Sequence, residues 1–162
     1  HFGMSEVEAR QTDPHARIFL EIAHEALERA GYAGARRHGR RVGVFAAVGE
    51  SGYPELLRGS TPTPPDDGTP DSPVPAALVG NLRNLVPARV AQMLDLTGPA
   101  IAVDTACSSA LVALHLARRS LATGECDIAV ASGEFAYALV LGLGAAVRLG
   151  DADDDAPWRQ KV

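Results

Sequence analysis

Along the chain, apolar stripes of helical period alternate with short unbroken apolar runs. Ser5 followed by Glu8 has the spacing of a capping box and predicts a short first helix. Asp13-Pro14 then places an N-cap and a first-turn proline ahead of a stronger amphipathic helix. Ile18, Ile22, Ala26 and Ala30 fall on one face with Phe19, Ala23 and Leu27, Glu21, Glu25 and Glu28 turn toward water, and Gly31 supplies a C-cap. Val42 to Val48 is continuously apolar and closes at Gly49, the pattern of a strand covered on both faces. A second helix is expected from Asn84, as cap, to about Leu94, with Val86, Val90, Met93 and Leu94 as its apolar stripe.

The theme then repeats. Ala100 to Asp104 reads as a buried strand, and Ser108 to Leu121 as a helix carrying Leu111, Val112, Leu114, Leu116 and Leu121 up to Gly124. Asp127 to Ala131 reads as another buried strand ending at Ser132-Gly133. A last Gly-rich apolar stretch, Leu139 to Leu149, precedes the acidic run Asp151 to Asp155. Strands alternating with helices predict an α/β protein with a mainly parallel sheet. The segment 59–75, rich in proline and without apolar periodicity, is expected to be a long surface loop.

Composition narrows the function. The 162 residues are 46% hydrophobic and 22% charged, which is globular, and carry a formal net charge of −5, which makes nucleic acid an unexpected partner. Phe135 to Val147 is too short an apolar run to span a bilayer, which needs about 20 residues, so no membrane is expected. Two cysteines without a secretory leader fit a reducing, cytoplasmic setting. The first residues are His1-Phe2-Gly3, so the chain is read as a piece of a longer one.

The chemistry concentrates in Val103-Asp104-Thr105-Ala106-Cys107-Ser108-Ser109. A strand is expected to end there and a helix to begin, with Cys107 at the junction. Such a junction presents sulfur at the carboxyl edge of the sheet, aims a helix N-terminus at it and offers first-turn N–H groups to an oxyanion. Position alone leaves a reactive thiol and a structural core thiol equally open. Cys126, at a strand entrance, reads as a core thiol, and two cysteines without a histidine pair have no zinc spacing. Arg36, Arg37, Arg40 and Arg41 read as a solvated loop, with an acidic carrier protein as the alternative contact. The aspartates at 151 and 153–155 lack a calcium-loop pattern, and Gly142-x-Gly144 is too short for a dinucleotide fingerprint.

Asp104-Thr105-Ala106-Cys107-Ser108-Ser109 followed by Leu111 to Ala117 resembles the nucleophile segment of β-ketoacyl synthases, specifically the ketosynthase domains of modular polyketide synthases. Phe2-Gly3-Met4-Ser5, Thr12-Asp13-Pro14, Leu20-Glu21, Arg41 to Phe45, Gly80-Asn81, Leu96-Thr97-Gly98-Pro99 and Gly124 to Gly133 resemble the same family in the same order. The resemblance covers about residues 2 to 133 and implies a thiolase-like α/β fold, a mainly parallel mixed sheet with helices on both faces, of which this chain, 1–162, is the N-terminal half of one domain.

It further implies that Cys107 is the nucleophile, its backbone N–H an oxyanion donor, and that acyl chains arrive on the phosphopantetheine arm of an acyl carrier protein. They would then condense with a decarboxylated malonyl-type extender. No cofactor or metal is expected to be bound. The remainder of the synthase and a second copy are the implied partners. A noncatalytic chain-length factor would lack Cys107, while a thiolase or a fatty-acid ketoacyl synthase would share the fold and nucleophile. The family's two catalytic histidine motifs match none of His1, His15, His24, His38 and His115. A truncated or degenerate module that binds carriers without condensing is therefore the alternative. The family's opening strand, expected at the centre of the sheet, has no counterpart either. Without it, the strands at Val42 and Gly133 should each lack a neighbour and the isolated chain should be molten.

Overall fold

The computed structural model describes residues 2–60, 79–133 and 137–142. Helices α1 (Glu6–Gln11) and α2 (Pro14–Arg29) precede strand β1 (Val42–Ala47) and helix α3 (Tyr53–Ser60). Helix α4 (Val86–Met93), strand β2 (Ala100–Val103), helix α5 (Ser109–Ala122), strand β3 (Ile128–Gly133) and strand β4 (Tyr137–Gly142) follow.

The predicted caps are formed. Ser5 Oγ accepts from Glu8 N–H at 3.2 Å, and Asp13 Oδ1 accepts from His15 N–H at 2.7 Å with Pro14 opening α2. Ala30 is the C-cap and Gly31 follows at φ +81°, a left-handed turn that only glycine takes without strain. The buried stripe of α2 is rotated from the expected one. Ala16, Phe19, Leu20, Ala23 and Leu27 lie inside, whereas Ile18 is 43% exposed. Fully buried Leu27 alone contributes about 2–3 kcal/mol of transfer free energy.

The strand order is β2-β1-β3-β4. β1 pairs in parallel with β2 (Val44 opposite Ala100) and with β3 (Val42 opposite Ile128), and β4 closes the far side antiparallel to β3. This overturns the expectation of an open centre. β1 and β3 hydrogen-bond directly to each other, so neither lacks its inner neighbour, and the reason for expecting a molten chain falls with it.

Alternate residues of the central strands feed two cores, because side chains alternate across a sheet. Val42, Val44, Ala46, Ile128 and Val130 pack against α2 and α4. Phe45, Ala47, Ala129 and Ala131 pack against α5. The layers are therefore helix, sheet, helix, as expected.

Four local expectations are corrected. Asn84 does not cap the second helix: it sits in a 3-10 turn, Arg83–Leu85, and Leu85 takes the N-cap position of α4. β2 is not buried, because it is the sheet's edge, with Ile101 38% exposed and only Val103 inside. α5 meets the sheet chiefly through Ala113, Ala117, Ser120 and Leu121, with Val112, Leu114 and Leu116 only half-buried against the same core and Leu111 72% exposed. Small side chains let the helix axis approach the strands closely. Finally, Gly59 and Ser60 end α3, a helix the apolar pattern did not announce. The rest of the expected proline-rich loop, 61–75, lies outside the described residues, as do Gly144 and the aspartates at 151 and 153–155.

The basic segment is exposed at Arg36, Arg40 and Arg41, as expected of a solvated loop, but three of its four arginines also meet partners. Arg37 Nη2 donates to the Leu94 carbonyl at 2.9 Å, and Arg40 lies 5.8 Å from the Tyr32 ring centroid. Arg41 donates to Asp127 Oδ1 from Nη2 at 3.1 Å and to Oδ2 from its backbone N–H at 2.7 Å, tying the start of β1 to the start of β3. These hydrogen bonds from Arg41 hold the Asp127 carboxyl below its ordinary range. A carboxyl depressed in the fold stabilises above its unfolded pKa, about 3.9, and loses that contribution as pH falls through the folded value. Asp127→Asn is accordingly expected to flatten the acid limb of the stability profile below about pH 4, measured by denaturant unfolding across pH. An unchanged acid limb would show that the pair contributes nothing.

Candidate active site

The end of β2 and the start of α5 build one turn. Asp104 follows the strand, and its Oδ1 accepts from the Ala106 N–H at 3.3 Å. Ala106 adopts φ +52°, in the left-handed region that costs a residue with a Cβ about 1–2 kcal/mol. Ser109, 3% exposed, locks this shape: its Oγ accepts from Thr105 N–H at 2.8 Å and donates to the Ala106 carbonyl at 2.7 Å. Ser108 Oγ donates back to the Thr105 carbonyl at 2.8 Å. Ser108 is the N-cap of α5 yet makes no side-chain cap, and the Ser108 and Ser109 N–H groups donate to the Thr105 and Ala106 carbonyls at 3.3 and 3.0 Å.

Cys107 sits between the strained Ala106 and that N-cap, and it is exposed. Cys126 is fully buried beneath the sheet, and burial pushes its thiol up, so it stays protonated and out of reach. The two thiols thus separate as the sequence reading expected: one in the core, one presented at a strand–helix junction. His115 lies exposed on α5, two turns beyond Cys107. His15 and His24 stand beside Asp13 and Glu28 on α2, each 3.6 Å from its partner, and take no part in the turn.

Asp104 and Ser109 enter the sequence motif without an announced side-chain role, and nothing in the sequence singles out Arg83. In the fold, Arg83 Nη1 donates to Asp104 Oδ2 at 2.7 Å, and its Nη2 is 3.7 Å from Glu50 Oε1. Arg83 arrives from the 3-10 turn ahead of α4, and no sequence periodicity links it to a residue 21 positions away. It lines two cavities at the carboxyl edge of the sheet. One of about 430 Å³ includes Glu50, Ser51, Glu55 and Asn81. The other, about 380 Å³, includes Val48, Leu82, Ala102 and Asp104. Cys107 borders neither. Among the described residues no three His, Cys, Asp or Glu side chains gather as metal ligands, and no helix is long and apolar enough to cross a membrane.

The fold, a sheet between two helical layers with a cysteine at a strand–helix turn, is thiolase-like, and it is solved ketosynthases that place it there. A ketosynthase from module 6 of the bacillaene synthase of Bacillus subtilis 168 superposes with a TM-score of 0.64 at 34% identity, over 80% of this chain and 20% of that one. The oxazolomycin ketosynthase domain OzmH KS7 of Streptomyces albus JA3453 also reaches 0.64, at 38% identity over 80% and 21%. The profile of the beta-ketoacyl synthase N-terminal domain matches residues 1–155.

Mycoketide-CoA synthase of Mycobacterium tuberculosis is 46% identical over 132 residues, 82% of this chain and 3% of the synthase. Erythronolide synthase EryA3 of Saccharopolyspora erythraea is 45% identical over 132 residues, 82% of this chain and 4% of its own length. The chain belongs to the β-ketoacyl synthase family, matching that family's N-terminal domain, and is similar to the ketosynthases of polyketide synthases. It spans only a few per cent of these curated relatives and about a fifth of the solved ketosynthase chains.

Proposed function

We propose that this chain supplies the acyl-accepting half of a polyketide ketosynthase, with Cys107 as nucleophile. The observation that carries this reading is the turn itself: an exposed thiol between a left-handed Ala106 and the start of α5, where no side chain caps the helix. The Cys107 thiolate attacks the carbonyl carbon of an acyl thioester carried on the phosphopantetheine arm of an acyl carrier protein. A tetrahedral oxyanion forms against backbone N–H groups, that of Cys107 among them, and the pantetheine thiol leaves with a proton. In the second step an extender of malonyl type loses carbon dioxide, and its carbanion attacks the acyl-cysteine. A carbon–carbon bond forms and the Cys107 thiolate returns. Proton transfer in that step needs bases that the described residues do not place beside Cys107.

The exposed edge of β2, with Ile101 38% open, supports a second copy as partner along that strand. Incubating the full-length protein with an acyl carrier thioester and mapping the acylated peptide by mass spectrometry tests the reading. Acyl mass on the Cys107 peptide is expected. Acylation elsewhere, or none, overturns it. Loading without condensation onto a malonyl carrier would instead favour the degenerate, carrier-binding module.

A further inference from the structure

We infer that Arg83 is a positioning residue for Cys107, acting through Asp104 by cancelling its charge. Asp104 is fixed beside the nucleophile because its Oδ1 holds the Ala106 N–H, one peptide unit before Cys107. That contact helps keep Ala106 in its left-handed shape, but it also holds a carboxylate in the same turn as a group that attacks as an anion. Like charges so placed oppose the attacking form. Arg83 meets the other carboxylate oxygen, Oδ2, at 2.7 Å, so the turn keeps the hydrogen bond while the field is neutralised.

Few other charges face the turn. β1, β2 and β3 carry no titratable side chain, α5 contributes only the distant His115 in its first two turns, and Glu50 stands on the far side of Arg83 at 3.7 Å. Arg83 and Asp104 are both partly exposed, at 44% and 49%, so salt should screen the effect.

The inference rests on Cys107 being the nucleophile, and one probe separates the two. Iodoacetamide alkylation of the full-length protein at pH 7 is followed on the Cys107 peptide; sulfur bonds to the methylene carbon and iodide leaves. If Cys107 in the unaltered protein reacts no faster than a free cysteine peptide, the nucleophile reading itself fails. If it reacts readily, Arg83→Gln is expected to slow it about three- to tenfold at low ionic strength and much less in 1 M salt. Arg83→Lys should recover most of the rate, and so should the double variant Arg83→Gln with Asp104→Asn, which removes both charges. An unchanged rate in Arg83→Gln overturns the role. So does a double variant as slow as the single one, because a residue that merely braces the turn would not be rescued by losing its partner's charge.

Discussion

Cys107→Ala is expected to abolish acyl loading, a fall of about 10³-fold or more, while leaving the fold almost untouched. Both halves follow from where the residue sits. Its side chain is exposed and fills no core space, so its truncation should change stability by no more than about 0.5 kcal/mol. The turn that presents it is held by Asp104 and Ser109, not by the sulfur. Chemically, nothing near it can substitute. Cys126 is sealed in the core with its thiol pushed toward the protonated form, and the only other hydroxyls at the turn, Thr105, Ser108 and Ser109, are engaged with one another and with backbone. Cys107→Ser should be nearly as inactive, since a serine hydroxyl without an adjacent base is a far weaker nucleophile at neutral pH. Intact-mass analysis after incubation with an acyl carrier thioester reads the loading, and denaturant unfolding reads the stability. Full loading of the alanine variant would move the nucleophile elsewhere.

Gly98→Ala should have the opposite signature, a large loss of stability from a residue that takes no part in chemistry. A Cβ at position 98 would stand 2.5 Å from the Val42 carbonyl carbon and 2.6 Å from both Gly43 N and Val42 O. These are backbone atoms of the central strand, not the movable ends of side chains. Relief would require β1 or the 96–99 approach to shift. The Gly98 N–H also donates to Val42 O at 3.0 Å, a bond the shift would break. Overpacking against an immovable neighbour together with a lost hydrogen bond sets an expected cost of about 3 kcal/mol or more. That is a large share of the roughly 5–15 kcal/mol that holds a domain together. Gly52, whose added Cβ would meet nothing within 4 Å, is the control, and Gly52→Ala should be close to neutral. Urea unfolding of both variants checks the contrast; equal midpoints would show that β1 yields more easily than its pairing on both sides suggests.

Much of the architecture was legible because its determinants are local. The Ser5 and Asp13-Pro14 caps, the unbroken apolar run at Val42 and the strand–cysteine–helix junction each lie within a few residues of chain, where backbone geometry and side-chain type decide the outcome. What misled was everything that depends on neighbours distant in sequence. The run Ala100–Val103 is as apolar as β1, yet it forms the sheet's edge and stays half open, since apolarity cannot say whether a second strand arrives. Ile18 and Leu111 look like core residues by periodicity but face outward, because α2 buries the stripe of Phe19, Leu20, Ala23 and Leu27 and α5 that of Ala113, Ala117 and Leu121, and the docking angle of each helix is set by the sheet beneath it. The basic segment is largely exposed, as its charge implies, but the sequence does not announce that Arg37 reaches the Leu94 carbonyl, Arg40 the Tyr32 ring and Arg41 the Asp127 carboxylate.

At the site, the sequence by itself determined which atom can attack and what local frame presents it, because a strand, a tight turn and a helix N-terminus are written in consecutive residues. Only the tertiary structure decided the rest. It set Ala106 in a left-handed conformation that nothing in an alanine announces, and brought Arg83 to the carboxylate of Asp104. It also paired β1 directly with β3. The last two are contacts between segments whose separation in the chain is closed only by burying the two apolar faces of the sheet.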